Sequence, residues 1–252
     1  MQITSKDNEK IKYLKKLSQK KYRDEAGEFV VENVKIIYDA LKAGFVFDSV
    51  FVTESLLNGH DAKVRAILER VREYFVINDQ INKVFSNLDT PSGIAVVYKI
   101  KSRELDFNDK IVYLNGISDP GNLGTMLRSA LAFGFKNIVL DETCVDLYNA
   151  KTIQATKDAV FKLNIVVDKE LLILQKIKKM MPVVVTRMED AQDVRSFKAA
   201  KKYCLVLGSE AHGVNAVITE LADAFIKIQM ADTMESLNVA VASGILFFSL
   251  SA

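Results

Sequence analysis

The sequence predicts an α/β protein made of two layered units in tandem, the second built on a parallel sheet. Three observations carry this. Short apolar runs rich in β-branched residues, at 111–114, 137–140, 164–167, 183–186, 203–207 and 225–228, alternate with helical patterns. Strands that are apolar at nearly every position belong to a sheet covered on both faces, which is the parallel arrangement. Between the two halves, 99–110 is charged and has no apolar period, so it reads as a linker joining a domain of residues 1–99 to one of residues 108–252. A chain of 252 residues has room for both.

In the first domain, Ile11, Leu14 and Leu17 recur at helical spacing among lysines. The pattern predicts an amphipathic helix with Lys10, Lys16, Lys20 and Lys21 on its outer face. A short strand at 28–31 follows, then a helix at 34–43 that Gly44 closes in the left-handed conformation. A strand at 45–52, a helix at 62–74 and a strand at 75–77 come next. The turn Thr90-Pro91-Ser92-Gly93 leads into a last strand at 94–98. In the second domain the helical patterns lie at 123–133, 152–161, 171–180, 214–222 and 237–250. There is no internal repeat and no low-complexity tract.

Composition is that of an ordinary globular protein, with 49% hydrophobic and 26% charged residues. The net charge is only +2, but residues 1–23 hold eight basic side chains, Lys6, Lys10, Lys12, Lys15, Lys16, Lys20, Lys21 and Arg23, against Asp7 and Glu9. Such a concentration is the electrostatic footprint of a phosphate-backbone binder, and equally of a solvated helix face. Cys144 and Cys204 stand 60 positions apart and have neither disulfide nor metal-ligand spacing, which points to a reducing, cytoplasmic setting. The N-terminus is charged, unlike a secretory signal. The longest apolar stretch, 237–250, is shorter than the ~18 residues a membrane span needs.

Polar loops at the ends of strands are where α/β enzymes place ligands. Three stand out: Asn115-Gly116-Ile117-Ser118-Asp119-Pro120-Gly121-Asn122-Leu123-Gly124 with Arg128 beyond it, Leu207-Gly208-Ser209-Glu210, and Ser236-Leu237-Asn238-Val239. Gly116, Gly121 and Gly124 lack the G-x-G-x-x-G spacing, which disfavours an ordinary dinucleotide-binding fold. His60 and His212 are far apart, so neither a metal site nor a histidine-based triad is readable.

Taken in this order, the three loops resemble the motifs of the SpoU/TrmH family, the S-adenosylmethionine-dependent RNA ribose 2′-O-methyltransferases of the knotted SPOUT class. The resemblance covers most of the chain. It implies a trefoil knot at the C-terminus, with the cofactor held there largely by main-chain groups. Residue by residue it assigns Leu207, Gly208, Ile228, Met230, Ser236 and Leu237 to cofactor binding, and Asn122, Arg128, Glu210, Ser236 and Asn238 to catalysis. Leu207, Ile228 and Leu237 would serve equally as core residues. Asn122 and Ser236 stand where a helix N-cap is expected. Asn238 reads as a carboxamide one turn into an apolar helix, which needs polar partners if buried. Glu210 could anchor Arg128 or a backbone amide.

The arginine six positions after the motif asparagine is, in the family, the residue that activates the ribose hydroxyl. A guanidinium with a pKa above ~12 rarely gives up its proton. Arg128 is therefore expected to act as an electrostatic activator of the attacking oxygen rather than a literal base. The resemblance implies no metal, because the sulfonium carries the reactive methyl group.

The N-terminal domain, with Phe29-Val30-Val31-Glu32 before a helix and Thr90-Pro91-Ser92-Gly93-Ile94 before a strand, is similar to the α/β/α RNA-binding domain of rRNA-modifying members. It leans the expected substrate to rRNA over tRNA. Members are homodimers whose interface includes the final helix, and Leu246, Phe247 and Leu250 would suit that role or burial within one subunit. This chain departs from the family at Glu32-Asn33, where Glu-Gly is usual, at Thr156-Lys157-Asp158, where small residues are usual, and at Gln229, where proline is common. The rivals are the same chemistry on tRNA and a non-catalytic RNA-binding protein on this scaffold. Against the second stand the intact Asn122, Arg128, Glu210, Ser236 and Asn238.

Overall fold

A computed structural model describes residues 1–231 and 236–251. Within the expected cofactor segment 228–238, residues 232–235 lie outside the described residues. The chain divides into two units, Met1–Lys101 with Asp146–Phe161, and Ser102–Val145 with Lys162–Ala252. The segment Asp146–Phe161 thus packs with the first unit although its neighbours in sequence belong to the second.

The first unit opens with α1 (Glu9–Lys16) and α2 (Lys20–Ala26) in place of one basic helix. The break falls where Ser18 Oγ donates to Lys15 O at 2.7 Å, a side-chain bond that competes with helix continuation. Then come β1 (Glu28–Val31), α3 (Val34–Lys42), β2 (Ser49–Thr53), α4 (Glu54–Asn58), α5 (Ala62–Leu68), β3 (Phe75–Ile77), α6 (Asp79–Phe85) and β4 (Ile94–Lys99). The strands order as β1-β4-β2-β3, with β2 and β3 parallel and the other pairs antiparallel. β2 starts later than expected because the residues before it pack by their rings, Phe45 on Phe161 at 5.0 Å and Phe47 on Tyr98 at 5.8 Å. Two short helices escaped the periodicity. They are set by caps, Thr53 accepting from Leu56 N–H and Asn78 from Ile81 N–H. Ile11, Leu14 and Leu17 meet Phe51, Phe75, Ile81 and Phe85 in the core.

Arg23 does not belong to the exposed basic face. It is 4% exposed, donates from Nη1 to Leu17 O and Ser18 O, and pairs through Nη2 with Asp146 Oδ2 at 3.0 Å. Asn33, in the glycine's usual place, caps α3 by accepting from Lys35 and Ile36 N–H.

The second unit holds β5 (Ile111–Leu114), α7 (Pro120–Ala132) and β6 (Asn137–Asp141). The chain next forms α8 (Ala150–Thr156) and α9 (Ala159–Lys162), where one helix was expected. They part at Lys157, whose φ of 57° and ψ of −135° cannot continue a helix. It goes on through β7 (Asn164–Asp168), α10 (Leu172–Lys178), β8 (Val183–Thr186), β9 (Gln192–Asp193), β10 (Cys204–Leu207), α11 (Ala216–Thr219), β11 (Ala224–Lys227) and α12 (Val239–Leu250). Among the described residues seven strands form one sheet in the order β7-β6-β5-β10-β8-β11-β9, and every neighbouring pair is parallel. Alternate residues Ile111, Tyr113, Val183, Val185, Cys204 and Val206 build a core with Leu174, Ile177 and Ile218, as the period of two requires. α7 and α12 pack on each other.

From β5 the chain runs to β6 and β7 on one side, then returns to place β10, β8 and β11 on the other. The reversal lies between β5 and β10. In an open parallel sheet the crevice beyond the strand ends at such a point is the ligand site.

Candidate active site

The loops leaving β5 and β10 meet at this reversal. Asp119 caps α7 by accepting from Asn122 N–H at 2.7 Å, with Pro120 in the first helical position. Asn122 is therefore not the cap, and its carboxamide is free for other work. It donates from Nδ2 to Glu210 Oε1 at 2.8 Å and accepts from Asn238 Nδ2 at 3.1 Å. Glu210 Oε1 also accepts from Asn238 Nδ2 at 2.7 Å and from Val239 N–H at 3.2 Å. Three segments remote in sequence thus converge on one carboxylate oxygen.

Asn238 does not lie inside the last helix. It is exposed and is itself the N-cap of α12, its Oδ1 accepting from Ala240 N–H at 2.9 Å and Val241 N–H at 3.3 Å. The cap is thus Asn238 and not Ser236. A carboxylate at a helix N-terminus is also favoured by the helix dipole, so Glu210 and α12 stabilise each other.

Arg128 stands apart. It is exposed, and among the described residues it forms no hydrogen bond or ion pair with Asn122, Glu210 or Asn238. Six positions along α7 turn a side chain roughly 120° from Asn122. The anchoring partner of Glu210 is a backbone amide and two carboxamides, not the arginine.

Leu207, Gly208, Ile228, Met230, Ser236 and Leu237 all line one cleft of about 400 Å³, and Glu210 lines it too. A second, polar cleft of about 490 Å³ is lined by Asn115, Gly116, Ser118, Asp119, Asn122 and again Glu210. At Gly208 the approach of backbone is too close for any side chain, since a Cβ would lie 2.1 Å from Gly213 C. Ser209 and Gly213 exchange backbone hydrogen bonds at 3.1 and 2.9 Å, which closes this loop.

Thr186, the last residue of β8, and Arg187 and Met188 just beyond it line the first cleft as well and carry no motif. Their position at the C-terminal end of a predicted parallel strand was the available signal. Burial and the neighbouring Asp141 push the Cys144 thiol up to about 12, against thiolate formation, and Sγ donates to Leu114 O at 3.2 Å.

Residues 109–248 match the model of the SpoU rRNA Methylase family, and residues 8–96 that of the MRM3-like substrate binding domain. A Bacillus subtilis (strain 168) protein named 23S rRNA (guanosine(2553)-2′-O)-methyltransferase RlmP is 28% identical over 250 residues, 99% of this chain and 98% of that protein. The crystal structure of an RNA 2′-O ribose methyltransferase superposes with a TM-score of 0.82 at 28% identity, covering 99% of this chain and 97% of the other. The AdoMet-bound rRNA methyltransferase from Sinorhizobium meliloti gives a TM-score of 0.83 at 26% identity over 99% of this chain and 96% of the other. With more than half of its residues matched by the family model, the chain belongs to the SpoU rRNA methylase family.

Proposed function

We propose that the protein transfers the methyl group of S-adenosylmethionine to a ribose 2′-hydroxyl of RNA, with rRNA favoured over tRNA. The observation that carries this reading is the place of Glu210, which lines both the apolar and the polar cleft and is held by Asn122 and Asn238. The apolar cleft suits the cofactor. Its volume of about 400 Å³ lies in the range of small-ligand sites, and the walls from Leu207, Ile228, Met230 and Leu237 suit an adenine. The absent Cβ at Gly208 lets the Gly213 backbone close against it, which shapes the loop that walls the cleft.

When bound, the cofactor supplies an electrophilic methyl group on a sulfonium. Leu207, Gly208, Ile228, Met230, Ser236 and Leu237 would hold it, Glu210 would offer a carboxylate in the same cleft, and Asn122 and Asn238 fix the direction of that carboxylate. The polar cleft receives the ribose. Arg128 stabilises the oxygen as it gains charge, keeping its own proton.

In one chain Arg128 stands away from the cluster, which supports a homodimer in which a second copy completes the site. Val241, Ile245 and Phe248 on α12 are 53%, 37% and 68% exposed and follow one another at helical spacing, an apolar stripe for such a partner to cover. Residues 1–99 serve as the RNA-binding domain and residues 108–252 as the catalytic one, with the C-terminal segments threaded as a knot. The expected cytoplasmic location accords with the free Cys144 and Cys204. Among the described residues no helix is long and apolar enough to cross a membrane.

The test is methyl transfer from labelled S-adenosylmethionine to unmodified rRNA and tRNA, with the product mapped at the ribose. Ribose methylation of rRNA is the expected result. Transfer to tRNA alone would replace the substrate, and cofactor binding without transfer to either RNA would favour the non-catalytic reading.

A further inference from the structure

Outside the Asn122, Glu210 and Asn238 cluster, a buried pair ties together the loops that carry it. Asn115 directly follows β5 and Asp141 ends β6, and each is 7% exposed. Asn115 Nδ2 donates to Asp141 Oδ2, while Asn115 Oδ1 accepts from Asn215 N–H at 2.8 Å. Asn215 closes the loop that starts at Gly208 and contains Glu210. Asp141 Oδ1 accepts from Gly116 N–H at 3.2 Å, Thr143 N–H at 3.1 Å, Thr143 Oγ1 at 2.8 Å and Cys144 N–H at 3.0 Å. The two carboxylate oxygens therefore have separate tasks. Oδ1 organises the loop after β6 and holds Gly116 in the loop after β5, and Oδ2 orients Asn115.

We propose that Asn115 and Asp141 form a positioning clamp for the reaction: they hold the loop after β5, which leads to Asn122, in register with the loop after β10, which carries Glu210. This rests on the methyl-transfer reading. Only a carboxamide meets the demands at position 115, one edge donating to a carboxylate and the other accepting an amide. A hydrocarbon there leaves the part-buried Asn215 amide and a buried carboxylate oxygen of Asp141 without their partner. A carboxylate there faces Asp141 with like charge.

The division of labour makes the clamp reversible in polarity. Asp141→Asn keeps Oδ1 for its four donors but turns amide against amide. Asn115→Asp turns carboxylate against carboxylate. Combined, the two substitutions again set one amide donor against one carboxylate, and the carboxylate at 115 still accepts from Asn215 N–H.

The experiment compares the full-length wild type, both single variants and the double variant. Four measurements are made: kcat for transfer from labelled S-adenosylmethionine to a 23S rRNA transcript, Tm, binding of S-adenosylhomocysteine, and amide exchange across residues 208–215. Each single variant is expected to lower kcat by ~10- to 100-fold and to speed exchange in that loop. The double variant is expected to return to within about 3-fold of wild type with slow exchange restored. A merely structural pair would lower Tm and leave kcat of the folded protein unchanged. That outcome, or a double variant no better than the worse single, overturns the clamp. If the wild type itself transfers no methyl group, the functional reading fails, and the exchange rates alone then decide whether the pair holds the loops.

Discussion

Asn238 Nδ2 donates to Glu210 Oε1 at 2.7 Å across 28 positions of sequence, while the other end of the same carboxamide caps α12. One side chain thus couples the start of the last helix to the loop after β10, and Asn122 reaches the same oxygen from α7. Glu210→Ala removes the acceptor from all three donors. Because Glu210 is exposed, the change in unfolding free energy should stay within about 1 kcal/mol. Methyl transfer should fall by ~10- to 100-fold, as expected for disordering groups that position a reaction. Single-turnover rates alongside a denaturant titration check both. An unchanged rate would detach Glu210 from the chemistry.

For Arg128 the expected loss is larger. If its charge stabilises the attacking oxygen, Arg128→Ala should lower kcat by ~100- to 1,000-fold while the affinity for S-adenosylhomocysteine stays nearly constant. Arg128→Lys should recover little, since a point charge does not reproduce the planar fork. Mixing Arg128→Ala with the weakened Glu210→Ala protein adds a test of the second copy. Activity regained in the mixture means that one subunit's arginine serves the other's carboxylate.

Much of this architecture is legible from residue pattern, and the exceptions share a cause. The ranges 111–114 and 183–186 read from the sequence coincide with β5 and β8, because a strand buried on both faces shows as an unbroken apolar run. Such local signals fail where a distant partner decides. Arg23 counts as surface charge until Asp146, 123 positions away, is brought to it. Asn238 reads as helical because Leu237 extends the apolar pattern, whereas Glu210 and the orphan amides of α12 settle it as a cap. The site residues were named by resemblance. That three of them share one carboxylate oxygen, and that Thr186 to Met188 join the cleft, depends on strand order, which no local pattern encodes.

Gly208→Ala should damage the cleft directly. The added carbon would lie 2.1 Å from Gly213 C and 2.2 Å from Gly213 O, so the loop that Ser209 and Gly213 close must open. Overpacking of this kind costs about 1–3 kcal/mol, and here backbone rather than a flexible side chain must move. Calorimetry should show binding of S-adenosylhomocysteine weakened by at least ~10-fold in protein that remains folded. Wild-type affinity in the variant would mean that the loop is not part of the cofactor site.

Glu32 offers a pH test. Burial raises its pKa, outweighing the hydrogen bonds it accepts, among them one from Asn87 N–H at 3.3 Å, and among the described residues Oε2 has no partner. A carboxyl whose pKa is raised by folding keeps its proton longer in the folded state. Its stabilising contribution is therefore full below the unfolded value of about 4.3 and is lost as the pH climbs through the raised folded value. Glu32→Gln has no proton to lose, so its stability should not show this decline. Chemical denaturation at a series of pH values from 4 upward compares the two, and parallel curves would show that Glu32 ionises in the folded state as it does in the unfolded chain.

The last prediction concerns the basic face, which is narrower than the sequence suggests because Arg23 is turned inward. Lys10, Lys16, Lys20 and Lys21 remain exposed on α1 and α2. Their local partners are weak: Lys10 lies over the Phe75 ring at 4.7 Å, and Lys21 is 3.9 Å from Glu25. Exposed pairs of this kind contribute little to stability, so these charges are available to a phosphate backbone. Replacing all four with glutamine should leave the fold and cofactor binding intact, weaken RNA binding, and flatten its salt dependence by ~0.7 to 0.9 in log-log slope for each phosphate that is no longer neutralised. Arg23→Gln should act differently, lowering stability by breaking a buried pair with Asp146, with no change in salt slope for RNA. If the quadruple variant keeps both its affinity and its slope, these lysines are a solvated surface, and the RNA must be held elsewhere, with Lys151, Lys157 and Arg128 the next to replace.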